Sequence, residues 1–177
     1  MYGEAGSVLL YFQQQVINNP SYFHAIQLDN EEQITNIFWA DAKMIIDYAS
    51  FGDVITFDTT YRTNKEFRPL GIFIGFNHHR KVSIFGAALL YDETCESFEW
   101  LFRTFVEAHQ QKKPTTIFTD QDPAMTSALV KVMPETYHGL CTWHIMQNAV
   151  KNLGNMLKDG SNLLKNIEAC IMNIKKR

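Results

Sequence analysis

Phe51-Gly52-Asp53-Val54-Ile55-Thr56-Phe57-Asp58-Thr59-Thr60-Tyr61-Arg62 reads as a turn followed by a strand: a Gly-Asp pair, then β-branched and aromatic residues in alternation. Asp58 interrupts that run where a buried strand should be apolar, so it is the first residue that needs a reason. A second segment repeats the arrangement. Pro114-Thr115-Thr116-Ile117-Phe118-Thr119 ends on Asp120, and Asp122-Pro123 then opens a helix with the acid at its N-cap and the proline at N1. Two strands each deliver a carboxylate.

Around the first of these strands the pattern is a meander. The runs Val54 to Tyr61, Leu70 to Asn77 and Val82 to Leu90 are separated by short polar breaks, which makes neighbouring strands antiparallel. Phe98, Leu101, Phe102, Phe105 and Ala108 then recur at helical spacing, and the strand Thr115 to Thr119 follows. A helix between strands of one sheet is a right-handed crossover, so the new strand lies parallel to a meander strand. After the helix of Met125, Leu129 and Val132 comes a short strand around Tyr137 to Trp143. Two further helices are expected, one with Ile145, Ala149, Val150, Leu153 and Leu157, the other with Leu163, Ile167, Cys170, Ile171 and Ile174. The closing Lys175-Lys176-Arg177 suits a solvated helix C-terminus better than a targeting signal.

Before the meander, Val8, Leu9, Phe12, Val16 and Ile17 mark an amphipathic helix over residues 4–18, stopped by Asn18-Asn19-Pro20. Tyr22 to Leu28 and Ile34 to Trp39 flank the polar Asp29-Asn30-Glu31-Glu32-Gln33 and form a hairpin. Asp41 caps a short helix that ends at Ser50-Phe51-Gly52. From the meander onward the order is β-β-β-α-β-α-β-α, the element order of the ribonuclease H fold. The expected class is α/β, a mixed sheet with flanking helices. Residues 1–50 are a lead-in, 51–157 the core, and 158–177 the start of a helical insertion.

Composition bounds the function. The 177 residues are 46% hydrophobic and 13% aromatic, enough for a packed core. A formal net charge of −3 gives no general attraction for nucleic acid and counts against a simple DNA-binding module. Cys95, Cys141 and Cys170 show no framework spacing, which fits a reducing compartment. Val8-Leu9-Leu10-Tyr11-Phe12 is too short for a signal sequence, and no window approaches a membrane span.

Two hard oxygen ligands, Asp58 and Asp120, meeting at the ends of adjacent strands suit Mg²⁺ or Mn²⁺. Paired ions of that kind activate a water or hydroxyl in phosphodiester attack. The alternative is that Asp58 ends its strand at a turn and Asp120 joins a capping cluster with Asp122. Cys141-Thr142-Trp143-His144 offers a thiol and an imidazole, half of a four-ligand zinc site, with His138 nearby and His78-His79 as a second source across the sheet. Packing of a small thiol and a hydrogen-bonded imidazole is the competing account, and a Cys-His nucleophilic dyad lacks an orienting third residue. Arg62, Asn64, Lys65 and Arg68 either contact phosphates or form a solvated turn.

Several blocks in order carry a family likeness: Phe57-Asp58-Thr59-Thr60-Tyr61-Arg62-Thr63-Asn64, Gly75-Phe76-Asn77-His78-His79, Ala88-Leu89-Leu90-Tyr91-Asp92-Glu93-Thr94, Trp100-Leu101-Phe102, Thr119-Asp120-Gln121-Asp122 and Cys141-Thr142-Trp143-His144-Ile145. They resemble the Mutator-like element (MULE) transposase domain, and more narrowly the version in the plant far-red-impaired-response family (FAR-related sequences) of transposase-derived transcription regulators. The likeness runs from about residue 4 to 157.

It implies a ribonuclease H-like core of the DDE transposase type, with Asp58 and Asp120 in the places of the first two acids and Cys141/His144 in a CxxH element. The third acid of related transposases follows a helical insertion, within whose start this chain stops. Glu168 is the only acid after Asp159, and nothing around it matches. Full-length members also carry an N-terminal zinc-binding DNA-recognition domain and a C-terminal SWIM-type zinc finger, neither of whose cysteine patterns occurs in this chain. The resemblance thus implies a middle fragment or truncated product. It would reach DNA through modules it lacks, form homo- or hetero-dimers with related regulators, and reside in the nucleus. Three functions are weighed: a catalytically inactive scaffold domain of a transcription regulator, a metal-dependent DDE transposase, and a relic with an incomplete sheet.

Overall fold

Helical and strand periods separate along the chain as the sequence predicts, in a computed structural model that describes residues 4–61, 64–142, 144–148, 151 and 169. The elements are α1 (Glu4–Asn18), β1 (Phe23–Leu28), β2 (Ile34–Ala40), α2 (Ala42–Phe51), β3 (Val54–Thr60), β4 (Leu70–Phe76), β5 (Val82–Leu89), α3 (Cys95–Ala108), β6 (Thr116–Thr119), α4 (Pro123–Val132) and β7 (Tyr137–Leu140). These seven strands form one sheet in the order β1-β2-β5-β4-β3-β6-β7. Pairing is antiparallel from β1 to β3 and parallel for β3–β6 and β6–β7. This is the mixed α/β sheet with flanking helices expected of a ribonuclease H-like fold.

The lead-in hairpin does more than precede the core. Ile37, Phe38 and Trp39 of β2 pair with Leu89, Ala88 and Ala87 of β5, so the hairpin extends the sheet at its edge. The expected last strand is shorter than its apolar run. Cys141 N–H still bonds Thr119 O at 2.7 Å, but Cys141 O accepts from Ile145 N–H, so the chain turns helical from Thr142. The expectations for Arg62, Trp143, Ala149, Val150, Leu153, Leu157, Leu163, Ile167, Glu168, Cys170, Ile171, Ile174 and Lys175-Lys176-Arg177 lie outside the described residues.

One face of the sheet is closed by α3. Its Phe98, Leu101, Phe102 and Phe105 sit at i, i+3, i+4 and i+7, and all are fully buried. They meet Phe57 of β3, Phe73 of β4 and Phe38 of β2. Phe73 and Phe105 stack with ring centres 4.0 Å apart, while Phe38 meets Phe105 edge-on at 6.3 Å. Two glycines make room for these rings. A Cβ at Gly71 would lie 2.9 Å from the Phe57 ring and one at Gly86 2.8 Å from the Phe38 ring. From α2, Tyr48 packs against Phe85 and Phe105 on the same face, and its hydroxyl donates to Lys112 O at 3.1 Å.

Helix caps follow the sequence. Asp41 accepts from Met44 N–H at 2.8 Å and Asp122 from Met125 N–H at 2.7 Å, with Pro123 at the first turn of α4. Asp122 is thereby structural.

Phe105→Ala removes the ring that joins β4, β2 and α2. It should lower the unfolding free energy by about 3–5 kcal/mol, measured as a shift of the urea midpoint at constant slope.

Candidate functional site

The parallel ladder brings the two acids together. Val54, Ile55 and Thr56 of β3 lie beside Thr116, Ile117 and Phe118 of β6. Two residues further in the same register stand Asp58 and Asp120. Side chains alternate along a strand, so both carboxylates share the face of Thr56 and Phe118, opposite the buried Phe57 and Thr119. Both are turned toward the C-terminal ends of parallel strands, where open α/β sheets place their sites.

Each carboxylate accepts from the N–H that follows it. Thr59 N–H reaches Asp58 Oδ1 at 2.9 Å, and Gln121 N–H reaches Asp120 Oδ1 at 2.5 Å. His144, from the helical turn after β7, places Nε2 3.6 Å from Asp58 Oδ1. Burial pushes the Asp58 carboxyl above its ordinary range. The His144 charge and the Thr59 N–H pull it back, while the nearby negative charges of Asp120 and Glu93 push it further up. Asp58 therefore stands in a cluster of three acids and one imidazole.

Glu93 comes from the loop between β5 and α3, and both its oxygens are engaged. Thr59 Oγ1–H donates to Oε1 and Tyr61 Oη–H to Oε2, each at 2.5 Å. The pair of hydroxyls ties the end of β3, on either side of Thr60, to the start of α3. Desolvation and the bond to Glu93 push the Tyr61 phenol up to about 12. Asp92 next to it is taken by Ser97 and Thr94 at the α3 N-terminus.

The CxxH pair is split in use. His144 turns to Asp58, whereas Cys141 is half-buried at the end of β7. His138 bonds Thr119 Oγ1 at 2.7 Å; since that hydroxyl donates to Asp120 O, the imidazole Nε2–H is the donor. Burial lowers the His138 pKa. His78-His79, weighed as a second source of ligands across the sheet, lie away from Cys141 and His144. β4 runs antiparallel to β3, and its end at Phe76 lies past the Thr56↔Ile74 pair, toward the start of β3. Cys141 follows the parallel β7 at the other end of the sheet, about 20 Å away at strand rise.

Among the described residues no group of three or more His, Cys, Asp or Glu side chains is placed to hold a metal. Cys141 and His144 thus gain no further zinc ligand there. Asp58 and Asp120 fit a hard divalent cation as two oxygen ligands, and the crowding of negative charge around Asp58 is what such a cation would relieve.

Of the residues weighed for phosphate contact or a solvated turn, Arg68 and Asn64 are engaged within the chain. The Arg68 guanidinium donates to Thr35 O at 3.0 Å and Ile34 O at 2.9 Å and lies 5.6 Å from the Tyr91 ring, bracing the hairpin. Asn64 closes a turn on the Arg68 backbone.

Residues 54–148, more than half of the chain, match the family described as the MULE transposase domain. The chain is 38% identical to the protein FAR-RED IMPAIRED RESPONSE 1 of Arabidopsis thaliana over 169 residues, which is 96% of this chain and 20% of that protein. It is 36% identical to FAR1-RELATED SEQUENCE 5 over the same share, 21% of that protein, and 38% identical to FAR1-RELATED SEQUENCE 7 over 82% of this chain and 19% of that one. The chain spans about a fifth of the length of these relatives.

Because its folded pKa is raised, Asp58 takes up a proton in the folded chain before it does in the unfolded one. The unfavourable charge is fully present above the folded pKa and vanishes as pH falls through it toward the ordinary 3.8. In chelator, Asp58→Asn should therefore melt higher than the parent at neutral pH, the gap closing on acidification.

Proposed function

The chain belongs to the MULE transposase domain family, and on that premise we propose that it is a transposase-derived domain of a nuclear regulator of DNA-templated transcription, acting as a scaffold and not as a catalyst. The observation that carries this reading is the likeness to FAR-RED IMPAIRED RESPONSE 1 and its related sequences over nearly the whole chain. The electrostatics support it. Asp58 is half-buried, disfavoured as an anion and set against His144, and the net charge of −3 offers no field for a DNA backbone. DNA contact then falls to other modules of a longer protein, and this domain assembles with copies of itself or of related regulators.

The test is to tether the chain to a heterologous DNA-binding domain in plant cells and read a promoter reporter, using the parent and Asp58→Asn/Asp120→Asn. The scaffold reading expects nuclear accumulation and the same change in reporter level from both. Exclusion from the nucleus, an unchanged reporter, or an effect confined to the parent would contradict it.

A second reading, a metal-dependent DDE-type transposase, is favoured by one observation: the in-register placement of Asp58 and Asp120 beyond the β3–β6 ladder. There the two carboxylates would hold Mg²⁺ or Mn²⁺, which supplies Lewis-acid activation of a water or hydroxyl in phosphodiester cleavage and strand transfer. Calorimetric titration with Mn²⁺ separates the readings. The scaffold expects no binding tighter than about 1 mM; tight binding by the parent, lost in the double Asn variant, would favour the enzyme.

A further inference from the structure

Cys95 is the first residue of α3 and packs, half-buried, against the core. Its Sγ–H donates to Glu99 Oε1 at 3.4 Å, one helical turn further on. From the last turn of α4, Lys131 reaches the same place. Its Nζ donates to that Glu99 oxygen and stands 3.7 Å from Cys95 Sγ. A thiol, a primary amine and a carboxylate thus meet at one point, with one carboxylate oxygen bonded to both of the others.

The fold has little need of this group. The Lys131 side chain is 54% exposed, and an ion pair in that setting contributes little to stability. Its chemistry is another matter. A partly exposed sulfur beside a lysine is the setting in which cysteine is oxidised selectively. The first product, a sulfenic acid, is an electrophile that condenses with a nitrogen nucleophile within reach. Lys131 Nζ is such a nitrogen, and its flexible four-carbon stem lets it close on Sγ while both helices stay in place.

We propose that Cys95 and Lys131 form a modification site, a reversible sulfenamide cross-link between α3 and α4 made when the chain meets hydrogen peroxide. First, Cys95 Sγ attacks one peroxide oxygen. An S–O bond forms, the O–O bond breaks, sulfur gives up two electrons, and the thiol proton leaves with the second oxygen as water. Next, Lys131 Nζ passes a proton to Glu99 and attacks Sγ. The S–N bond forms as the S–O bond breaks. The departing hydroxyl takes the proton held by Glu99 and leaves as water, and a second nitrogen proton goes to solvent. This step needs no further oxidant. Two thiols reverse it, restoring Cys95 and Lys131 and forming a disulfide between themselves. The bond ties the start of α3 to the end of α4 across β6, the strand that brings Asp120 beside Asp58, and anchors the turn from which Glu93 holds β3. It would form in a scaffold and in an enzyme alike.

Peptide mass mapping of the peroxide-treated chain tests this, beside Lys131→Arg, which keeps the charge but removes the primary amine. Unchanged melting curves before treatment are the control for folding. The parent should lose two hydrogens, about 2 Da, in a peptide pair that joins Cys95 to Lys131 and separates again in dithiothreitol. In a parallel sample treated in the presence of dimedone, which captures free sulfenic acid, labelling of Cys95 should be about tenfold higher in Lys131→Arg than in the parent. Equal labelling of the two chains would overturn the proposal. So would a parent in which Cys95 ends unreacted, in a disulfide or as a sulfinic acid, with Lys131 unlinked.

Discussion

The parallel pairing of β3 with β6 is the contact on which the rest depends. It is made possible by α3, which must carry the chain back across the sheet so that β6 enters beside β3 in the same direction. The helix achieves that because one of its faces is almost entirely phenylalanine and leucine, and those rings find Phe57, Phe73 and Phe38 waiting on the strands of the sheet. Burying each ring is worth roughly 2–3 kcal/mol, so the crossover is held by the core and not by its loops. Glycine at 71 and 86 is part of the same fit, since a methyl group at either would strike a ring.

Once that pairing exists, the site is a consequence of register. Asp58 and Asp120 stand at the same offset beyond Thr56 and Phe118, so the two strands cannot pair as they do without bringing the carboxylates to one face. β7 repeats the step on the far side of β6, and the helical turn after it brings His144 back over β3. The Glu93 carboxylate, held by Thr59 and Tyr61, fastens the last turn of this arrangement to α3. A cluster of acids with one imidazole follows, in which burial and like charge oppose the ionised form of Asp58. Scaffold and enzyme readings share that geometry and differ in whether anything else comes to neutralise it.

Much of this was legible in the sequence because it is local. The bounds of α1, the hairpin around Asp29 to Gln33, the caps Asp41 and Asp122 and the meander all follow from periods and turn residues within a few positions of one another. The adjacency of Asp58 and Asp120 was legible through the crossover rule, which converts element order into strand direction. Strand partners chosen at a distance were not. Nothing in the pattern of β2 says that it will pair with β5, and the hydroxyls of Thr59 and Tyr61 give no sign of reaching Glu93, more than thirty residues on. His144 was visible as a metal-type residue, but its direction toward Asp58 depends on the early end of β7. The distance of His78-His79 has the same cause in reverse: an antiparallel strand carries its far end away from the acids.

The most direct test of the central claim is an NMR titration of the Asp58 side-chain carboxyl in the metal-free chain, compared with Asp120→Asn and with His144→Gln. The account predicts that Asp58 titrates above the ordinary carboxylate range in the parent, lower when Asp120 loses its charge, and higher when His144 is replaced. An Asp58 pKa indifferent to both substitutions would contradict the juxtaposition that the β3–β6 register creates.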